Sequence, residues 1–362
     1  MATVLVYRAL GLGDFLTGLP ALRGVRDAFP DDRITLAMPA ALRPLLEASG
    51  VTADLLDSRP FEALPVLRPD LAVNLHGRGP QSHAVLRAVR PHRLIGYAGP
   101  AWHDGAEPGP AVEGPDWRDD EHEVLRWCRL LRTAGIPADA GRLELDGEAV
   151  LHRLGDRVAD VDPWDATVVH PGASSGARRW PARRFAAVAR AEHRAGRKVL
   201  VTGDRAERRL AEEVAIGAGL TEGAVLAGRT DLGALAAIVT AAARVVCGDT
   251  GVAHLATALD TPSVVLFGPT SPAHWGPPLD RAAHVALWAG SVGDPHGRQP
   301  DEGLLRIDVD TVLAALEGLD RARGRPRPTP EGARSERDDR SRERTEGWTR
   351  PSSTRSTAAH RT

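Results

Sequence analysis

The sequence is poor in lysine, cysteine and aromatic residues. A single lysine, Lys198, and two cysteines, Cys128 and Cys247, occur among 362 residues, of which 4% are aromatic. There is no CxxC pair and no cluster of Cys and His residues, so a structural zinc site is not expected. The two cysteines lie far apart in apolar contexts, which predicts free buried thiols in a reducing compartment and therefore a cytoplasmic protein.

Long apolar runs are missing as well. No stretch of about 18 apolar residues occurs, so no membrane-spanning helix is predicted, although peripheral contact with a membrane stays compatible with the sequence. The apolar residues 4–6 are too few for the core of a secretory signal peptide, and they run into Arg8.

Charge is unevenly distributed along the chain. Residues 321–362 contain 12 arginines against 6 aspartates and glutamates, so they carry +6, and the net charge of −2 leaves −8 on the remainder. An acidic body is unlike a nucleic-acid-binding surface, so nucleic acid is not an expected partner. The same segment has almost no apolar side chains and is predicted to be a disordered, Arg-rich tail.

Short apolar runs alternate with helical patterns, and the alternation occurs twice. In the first half, strands are predicted at residues 4–8, 34–38, 71–75 and 94–97. In the second half, strands are predicted at residues 168–170, 198–202, 225–226, 245–247 and 263–267. Helical patterns separate most of these runs, and 42% hydrophobic residues allow each half to bury a core. The pattern predicts an α/β protein with a parallel sheet in each half.

The sequence therefore predicts two Rossmann-like domains that face each other across a cleft. The N-terminal domain is placed at residues 1–155 and the C-terminal domain at residues 165–305, with the linker within residues 137–165. A closing helix is placed at residues 306–320, with Asp310 as its N-cap. Ligands of such folds bind at the carboxyl ends of the strands, so the loops that follow the strands are the place to search for a site.

A glycine turn follows the first predicted strand. Gly11 and Gly13 begin a G-x-G-x-x-G pattern, but Leu16 occupies the third glycine position, and the second strand ends without an acidic residue. Both departures disfavour a nicotinamide or flavin site, so no cofactor is expected. Asp14 is predicted at the start of the following helix, where it either caps the helix or points into the cleft.

Small residues and arginines fill the loop after residues 168–170. His170 is followed by Ser174, Ser175, Arg178 and Arg179. Small residues let backbone amides approach an anion, and the arginines add positive charge. The loop therefore predicts a phosphate site, with a solvated surface loop as the alternative.

The segment from Asp249 to His254 also joins a strand to a helix. The backbone amides of Thr250 and Gly251 would lie at the helix N-terminus, which favours anion binding. In the alternative interpretation, Asp249 or Thr250 only caps the helix and His254 makes an ordinary polar contact.

A third loop of the second half contains a candidate ribose ligand. Thr202 and Gly203 end a strand, and Glu207 follows in the next helix. Its carboxylate suits hydrogen bonds from ribose hydroxyls, as acids do in other nucleotide sites. The alternative is an exposed acid of the first turn that the helix dipole stabilises.

Two bare D-x-D patterns occur, Asp160 with Asp162 and Asp308 with Asp310. The first lies in the expected linker and the second at a helix start. Both are interpreted as caps and solvated acids rather than ligands of Mn²⁺ or Mg²⁺, so no metal site is expected.

Taken together and in order, these segments resemble glycosyltransferase family 9, the ADP-heptose:lipopolysaccharide heptosyltransferase family. The resemblance spans roughly residues 3–319 and rests on Gly11-Leu-Gly-Asp14, His170-Pro-Gly172, Arg178-Arg-Trp-Pro181, Gly203 with Glu207, Asp249-Thr-Gly-Val-Ala-His254 and Phe267-Gly-Pro-Thr270. It implies a GT-B fold and an inverting, metal-independent transfer of a sugar, with Asp14 as the general base.

The resemblance also implies what the site binds. The donor would be a nucleotide-diphosphate sugar, with ADP-heptose expected, and the acceptor a glycan or glycolipid of the lipopolysaccharide core. Residues implied to hold the diphosphate are Ser174, Ser175, Arg178, Arg179, Thr250 and Gly251. Residues implied to hold the nucleotide and sugar are Gly11, Gly13, His170, Thr202, Gly203, Glu207, Asp249 and His254.

Other readings of the sequence stay open. One alternative function is a sugar-nucleotide epimerase built on the same double fold, and another is a nucleotide-sugar-binding protein without catalytic activity. His76, Arg78 and Ser82 follow a predicted strand of the first half and are candidates for acceptor contacts, with a plain polar loop as the other interpretation.

Overall fold

The chain folds around two parallel β-sheets in a computed structural model that describes residues 1–99, 109–154 and 161–322. The first sheet contains β1 (Thr3–Tyr7), β2 (Arg33–Met38), β3 (Asp54–Asp57), β4 (Leu71–Asn74), β5 (Arg93–Ile95) and β6 (Val112–Glu113). The second contains β7 (Thr167–His170), β8 (Val199–Val201), β9 (Arg244–Gly248), β10 (Ser263–Phe267) and β11 (His284–Trp288). Their strand orders are β3-β2-β1-β4-β5-β6 and β11-β10-β9-β7-β8.

Helices connect the strands and cover the sheets. They are α1 (Leu12–Ala28), α2 (Arg43–Ala48), α3 (Gln81–Ala88), α4 (Glu123–Thr133), α5 (Gly147–Leu154), α6 (Ala182–Arg194), α7 (Arg208–Ala218), α8 (Leu232–Ala241), α9 (Gly251–Ala258), α10 (Pro272–Trp275), α11 (Glu302–Arg306) and α12 (Val309–Ala322). The predicted α/β class with two Rossmann-like sheets is confirmed. Within the described ranges no helix has the length and apolar character needed to cross a membrane.

The strands form where apolar residues run without interruption. In β9 and β10 every residue is buried, as expected for central strands of a parallel sheet covered on both faces. The flanking helices α4 and α6 each bury one face and leave the other to solvent. Cys128 and Cys247 are buried and free, as predicted.

One apolar cluster continues from the first half into the second. It includes Leu16 and Leu22 of α1 together with Leu235 and Ile238 of α8 and Val252 of α9. Helix α1 packs against α9, and α5 packs against α8. Because this contact is apolar and continuous, it fixes the two sheets relative to each other and thereby the walls of the cleft between them.

Several details of the sequence-based assignment are wrong. The cap of α12 is Asp308, whose carboxylate accepts a hydrogen bond from the Thr311 amide at 2.8 Å, while Asp310 lies inside the helix. Residues 225–226 form no strand, since Val225 makes only an isolated bridge to Val201. The helix α5, which the pattern did not indicate, forms within residues 137–165, and the prediction of a linker there is not affected by it.

The elements that sequence patterns missed are short or lie at sheet edges. Strands β3, β6 and β11 are not fully buried, so no continuous apolar run marks them. The predicted tail begins at residue 321, but α12 extends to Ala322. Residues 323–362 lie outside the described part of the chain, and so does the prediction of disorder made for them.

Candidate active site

A cleft of about 520 Å³ opens at the carboxyl ends of the two sheets. The turn between β1 and α1 forms one wall, and the loops after β7, β8 and β9 form the other. The predicted residues that line it are Gly11, Gly13, Asp14, His170, Ser174, Arg178, Gly203, Glu207, Asp249, Thr250, Gly251 and His254. The fold therefore brings together most of the residues that the sequence singled out from loops far apart along the chain.

Asp14 reaches the cleft from the first turn of α1. The N-cap of this helix is Gly11, so Asp14 is not the cap residue. Burial raises the pKa of the Asp14 carboxyl above its usual range, while the charge of Arg8 opposes that rise. The arrangement gives the N-terminal wall a partly desolvated acid suited to accept a proton.

Arg8 lies directly behind Asp14, and the sequence analysis did not single it out. Its Nε donates a hydrogen bond to the Asp14 carbonyl oxygen, and the residue is only 2% exposed. Its one sequence signal is a charged residue at the end of a buried strand, immediately before the glycine turn.

The start of α9 meets the start of α1 across the cleft. Thr250 is the N-cap of α9, with its Oγ1 accepting from the Val252 amide at 3.3 Å. A Cβ on Gly251 would lie 3.0 Å from the Gly13 nitrogen, so glycine is what allows the two backbones to approach this closely. Two helix N-termini, each the positive end of a helix dipole, therefore point into one space.

His254 stands beside this contact. A Cβ on Gly13 would lie 2.9 Å from the His254 Cδ2 atom, and the Trp275 ring meets the imidazole edge-on at 5.9 Å. Burial, with the nearby charges of His122 and Arg178, lowers the pKa of His254 to about 4. The ring is thus neutral at pH 7 and can donate or accept one hydrogen bond.

Arg178 supplies positive charge to the C-terminal wall. Its Nη1 lies 3.7 Å from Asp249 Oδ2, an oxygen that is buried without a hydrogen-bond partner among the described residues. Burial raises the pKa of Asp249, and Arg178 opposes this. Arg178 also keeps part of its side chain exposed to the cleft. An anion or a sugar hydroxyl could therefore find a donor and an acceptor at this point.

Three predicted residues sit behind the lining rather than in it. The Arg179 Nε and Nη2 donate to the Ala173 carbonyl at 2.9 and 2.8 Å. Ser175 Oγ donates to the Pro295 carbonyl at 2.6 Å. Arg179 thus makes its contacts within the loop, and Ser175 connects the loop to the segment at Pro295.

Thr202 is the third of these residues. Its hydroxyl lies 3.0 Å from His170 Nδ1, and the residue is fully buried. Burial lowers the pKa of His170, and the charge of Glu207 opposes this. The pair therefore orients a neutral His170 at the edge of the cleft.

Glu207 makes reciprocal hydrogen bonds with Asp204. The Asp204 amide donates to Glu207 Oε2 at 3.0 Å, and the Glu207 amide donates to Asp204 Oδ1 at 2.8 Å. This is the geometry of a capping box ahead of α7. A Cβ on Gly172 would overlap the Glu207 carboxylate, so glycine makes room for it. One carboxylate oxygen thus serves the cap, while both oxygens lie against the loop at Gly172 and the residue lines the cleft.

Further lining residues were missed by the sequence analysis. They are Leu12, Asp204, Thr230, Asp231, Leu232, Leu235, Val252 and Trp275. The turn at residues 267–272 leads into α10, which contributes Trp275, while the residues of the turn itself are not part of the lining. Asp231 could have been found as the N-cap of α8, because its carboxylate accepts from the Ala234 amide at 2.8 Å.

The acceptor candidates of the first half lie away from the described lining. Ser82 is buried against Asn74, which donates to its hydroxyl at 2.9 Å. The His76 ring stacks on Tyr7 with centroids 4.5 Å apart, and Arg78 is exposed. Ser82 and His76 thus have structural contacts, whereas Arg78 remains available to a ligand.

The D-x-D patterns do not gather ligands within the described ranges. Asp162 pairs with Lys198, Asp308 caps α12, and Asp160 lies outside the described residues. No group of three or more His, Cys, Asp or Glu side chains that could hold a metal ion occurs in that part of the chain.

Comparison with solved structures finds close likeness in fold. A glycosyltransferase of family 9 from Veillonella parvula is 20% identical, with a TM-score of 0.70 and coverage of 88% of this chain and 97% of that chain. The ADP-heptose lps heptosyltransferase II of E. coli is 21% identical, with a TM-score of 0.68 and coverage of 88% and 98%. The E. coli heptosyltransferase WaaC with ADP is 18% identical, with a TM-score of 0.64 and coverage of 88% and 99%.

The sequence itself was compared in two further ways. A search of curated proteins finds no match. A family model described as glycosyltransferase family 9 (heptosyltransferase) matches residues 115–294, a range that holds Arg178, Glu207, Asp249 and His254 but not Asp14. The family model thus identifies residues 115–294 as glycosyltransferase family 9 (heptosyltransferase), and the solved structures share the two-sheet, GT-B-like fold of the whole chain.

Proposed function

We propose that the protein transfers a heptose from ADP-heptose to a hydroxyl of a glycan or glycolipid, with inversion at the anomeric carbon. Asp14 takes the proton of the acceptor hydroxyl. The acceptor oxygen then bonds to the anomeric carbon while the bond from that carbon to the diphosphate breaks and ADP leaves. General-base catalysis by a positioned carboxylate suits this step.

The observation that carries this proposal is the opposition of Asp14 to the anion-binding wall. Arg178 and the start of α9 lie on one side of the cleft, and the carboxylate enters from the other. A donor whose diphosphate is held at Arg178, Thr250 and Gly251 would present its anomeric carbon towards the N-terminal wall. In this proposal Glu207 and His170, which line the same cleft, contact the ribose that follows the diphosphate.

The identity of the donor rests on the relatives. WaaC of E. coli has been solved with ADP and with ADP-2-deoxy-2-fluoro heptose, and the other E. coli relative is an ADP-heptose lps heptosyltransferase. Lipopolysaccharide core is therefore the first acceptor class to test. The buried free cysteines fit a reaction in the cytoplasm, which we include in the proposal.

Replacement of Asp14 by Asn tests the mechanism. We expect turnover to fall on the order of 10²–10⁴-fold while the affinity for ADP stays within about twofold. ADP release from ADP-heptose with a heptose-deficient lipopolysaccharide core measures turnover, and calorimetric titration with ADP measures affinity. Turnover equal to that of the unmodified protein would remove Asp14 from the role of base.

Donor specificity is tested separately by thermal unfolding with ADP-, GDP- and UDP-linked sugars. Stabilisation follows ligand affinity, so ADP-heptose should give the largest shift. Incubation of the donor alone distinguishes a transferase from an epimerase, because only an epimerase converts the sugar without an acceptor. A change in the donor's sugar in that incubation would contradict the proposal.

A further inference from the structure

Arg8 buries a positive charge beneath the first turn of α1. Its three hydrogen bonds end on uncharged oxygens, since Nε donates to the Asp14 carbonyl, Nη1 to the Leu75 carbonyl and Nη2 to Thr17 Oγ1 at 3.2 Å. The nearest paired carboxylate, Glu123, stays 3.6 Å from Nη2. A guanidinium held this way keeps much of its charge directed at its surroundings.

The sequence makes a dedicated space for this side chain. A Cβ on Gly18 would overlap the Arg8 guanidinium, so only glycine leaves room for it within α1. On the other side the guanidinium lies 4.9 Å from the centre of the Trp127 ring. Arg8 is therefore confined in position.

Glu123 balances this charge from α4. It is 5% exposed, and its carboxylate accepts hydrogen bonds from Arg126 and from Trp127 Nε1, the latter at 2.7 Å. The buried charges behind the cleft are thus Arg8 and Arg126 against Glu123, with Asp14 at the cleft surface.

We propose that Arg8 is a positioning residue for the base: it fixes the first turn of α1 and supplies the positive charge that keeps Asp14 a carboxylate, while Glu123 limits that charge. The inference rests on the proposed function, in which Asp14 accepts the acceptor's proton. In this inference, buried groups of the N-terminal half determine the pH range in which Asp14 can accept a proton.

Charged and titratable groups surround Asp14 from several elements. Arg8 after β1 and Glu123 in α4 act on Asp14 itself, and Arg126 acts on Arg8. His254 in α9 and Arg178 in the loop after β7 line the same cleft as Asp14, and His122 before α4 acts on His254. His254 is neutral at pH 7. Among the groups that shift the pKa of Asp14, Arg8 lowers it and Glu123 raises it. Removal of the Arg8 charge should therefore raise the pKa of Asp14, and removal of the Glu123 charge should lower it.

The test is a direct titration of the Asp14 carboxyl. In full-length protein labelled with ¹³C at the aspartate carboxyl carbons, the Asp14 signal is the one missing from the spectrum of the Asp14→Asn variant. Its chemical shift is then followed against pH in the unmodified protein and in Arg8→Gln, Arg8→Lys and Glu123→Gln. No donor or acceptor is needed, so the result does not depend on whether the proposed reaction is correct.

We expect the titration midpoint to rise by about one pH unit or more in Arg8→Gln, because an opposite charge at this range favours the ionised acid. In Glu123→Gln it should fall by about half a unit or more, and Arg8→Lys should stay closer to the unmodified protein than Arg8→Gln does. If Arg8→Gln does not fold, Glu123→Gln and Arg8→Lys decide the question. The inference would be overturned if the midpoints did not change, or if Arg8→Gln and Glu123→Gln moved the midpoint in the same direction.

The same variants connect the charge to turnover. The acid limb of the pH–rate profile with ADP-heptose and lipopolysaccharide core should follow the titration midpoint in each variant. A purely structural role for Arg8 would lower turnover at every pH without moving that limb. The activity of Asp14→Asn tests the proposed function by itself. The carboxyl titration tests the role of Arg8.

Discussion

The backbone of Gly13 lies against Gly251, so that a Cβ on Gly251 would come within 3.0 Å of the Gly13 nitrogen. The first residue belongs to α1 of the N-terminal half and the second to α9 of the C-terminal half. Two helix N-termini repel each other electrostatically unless an anion lies between or beside them. The contact therefore places the proposed base and the proposed diphosphate site within one small volume.

Gly13→Ala should disturb this junction. The added Cβ would lie 2.9 Å from His254 Cδ2, so the imidazole would have to shift from its position. We expect kcat/KM with ADP-heptose to fall by about tenfold or more, since small displacements at a site are costly. Gly11→Ala is the matched control, because its Cβ would meet only Asp14 Oδ2 at an ordinary 3.8 Å. Equal losses in both variants would show that the turn, and not the contact with His254, matters.

Arg178→Ala should weaken donor binding. The guanidinium faces the cleft beside Asp249, so its loss removes a charge-assisted donor to the diphosphate. We expect the Kd for ADP to rise by about 10- to 100-fold in calorimetric titration.

Two controls separate charge in the cleft from the shape of the loop. Arg179→Ala removes hydrogen bonds to the Ala173 carbonyl, so it should lower thermal stability and raise the Kd for ADP less than Arg178→Ala does. Arg183→Ala, at an exposed position of α6, should leave the thermal stability and the Kd for ADP unchanged. An Arg178→Ala variant that binds ADP normally would contradict the assignment.

Glu207→Gln separates the cap from the ligand contact. Glutamine keeps an oxygen that can accept from the Asp204 amide, so the free energy of unfolding should change by less than about 0.5 kcal/mol. The loss of charge should nevertheless raise the Kd for ADP by about tenfold, because a carboxylate is the stronger acceptor for ribose hydroxyls. Unfolding in urea and titration with ADP are the two measurements. Unchanged ADP affinity would leave Glu207 with the capping role alone.

Stability should fall as the pH drops below about 6.5, the ordinary pKa of histidine. Burial lowers the pKa of His76, His83 and His254 to about 4 in the folded protein. Between about pH 6.5 and 4 the unfolded chain therefore binds protons that the folded chain does not. Each such histidine contributes a slope of up to about 1.4 kcal/mol per pH unit, and the stability is fully present only above this window.

His76→Phe tests this dependence, since phenylalanine keeps a ring to stack on Tyr7 but cannot titrate. The free energy of unfolding, measured by urea denaturation, should depend less steeply on pH in this variant. A slope that stays the same in His76→Phe would show that this ring does not resist protonation.

Sequence patterns predicted the central elements and missed the peripheral ones for one reason. Strands β9 and β10 are buried on both faces, so an unbroken apolar run marks them. Strand β3 (Asp54–Asp57) has acids at both ends and only two apolar residues between them, and its pairing with β2 supplies what its own sequence does not. The cap of α12 is a similar case. The sequence does not distinguish Asp308 from Asp310 as the N-cap, and only the backbone, which places the Thr311 amide beside Asp308, decides between them.

The amino-acid sequence by itself determined the α/β class, the doubled sheet and the loops that hold the candidate site, because burial and glycine turns leave local patterns. It could not determine which side chains of a loop face the cleft. Arg178 and Arg179 are neighbours of the same chemistry, yet one lines the cleft and the other binds the Ala173 carbonyl. Only the tertiary structure decided this, and only it brought Arg8 behind Asp14, because direction and distance in space depend on packing between elements far apart along the chain.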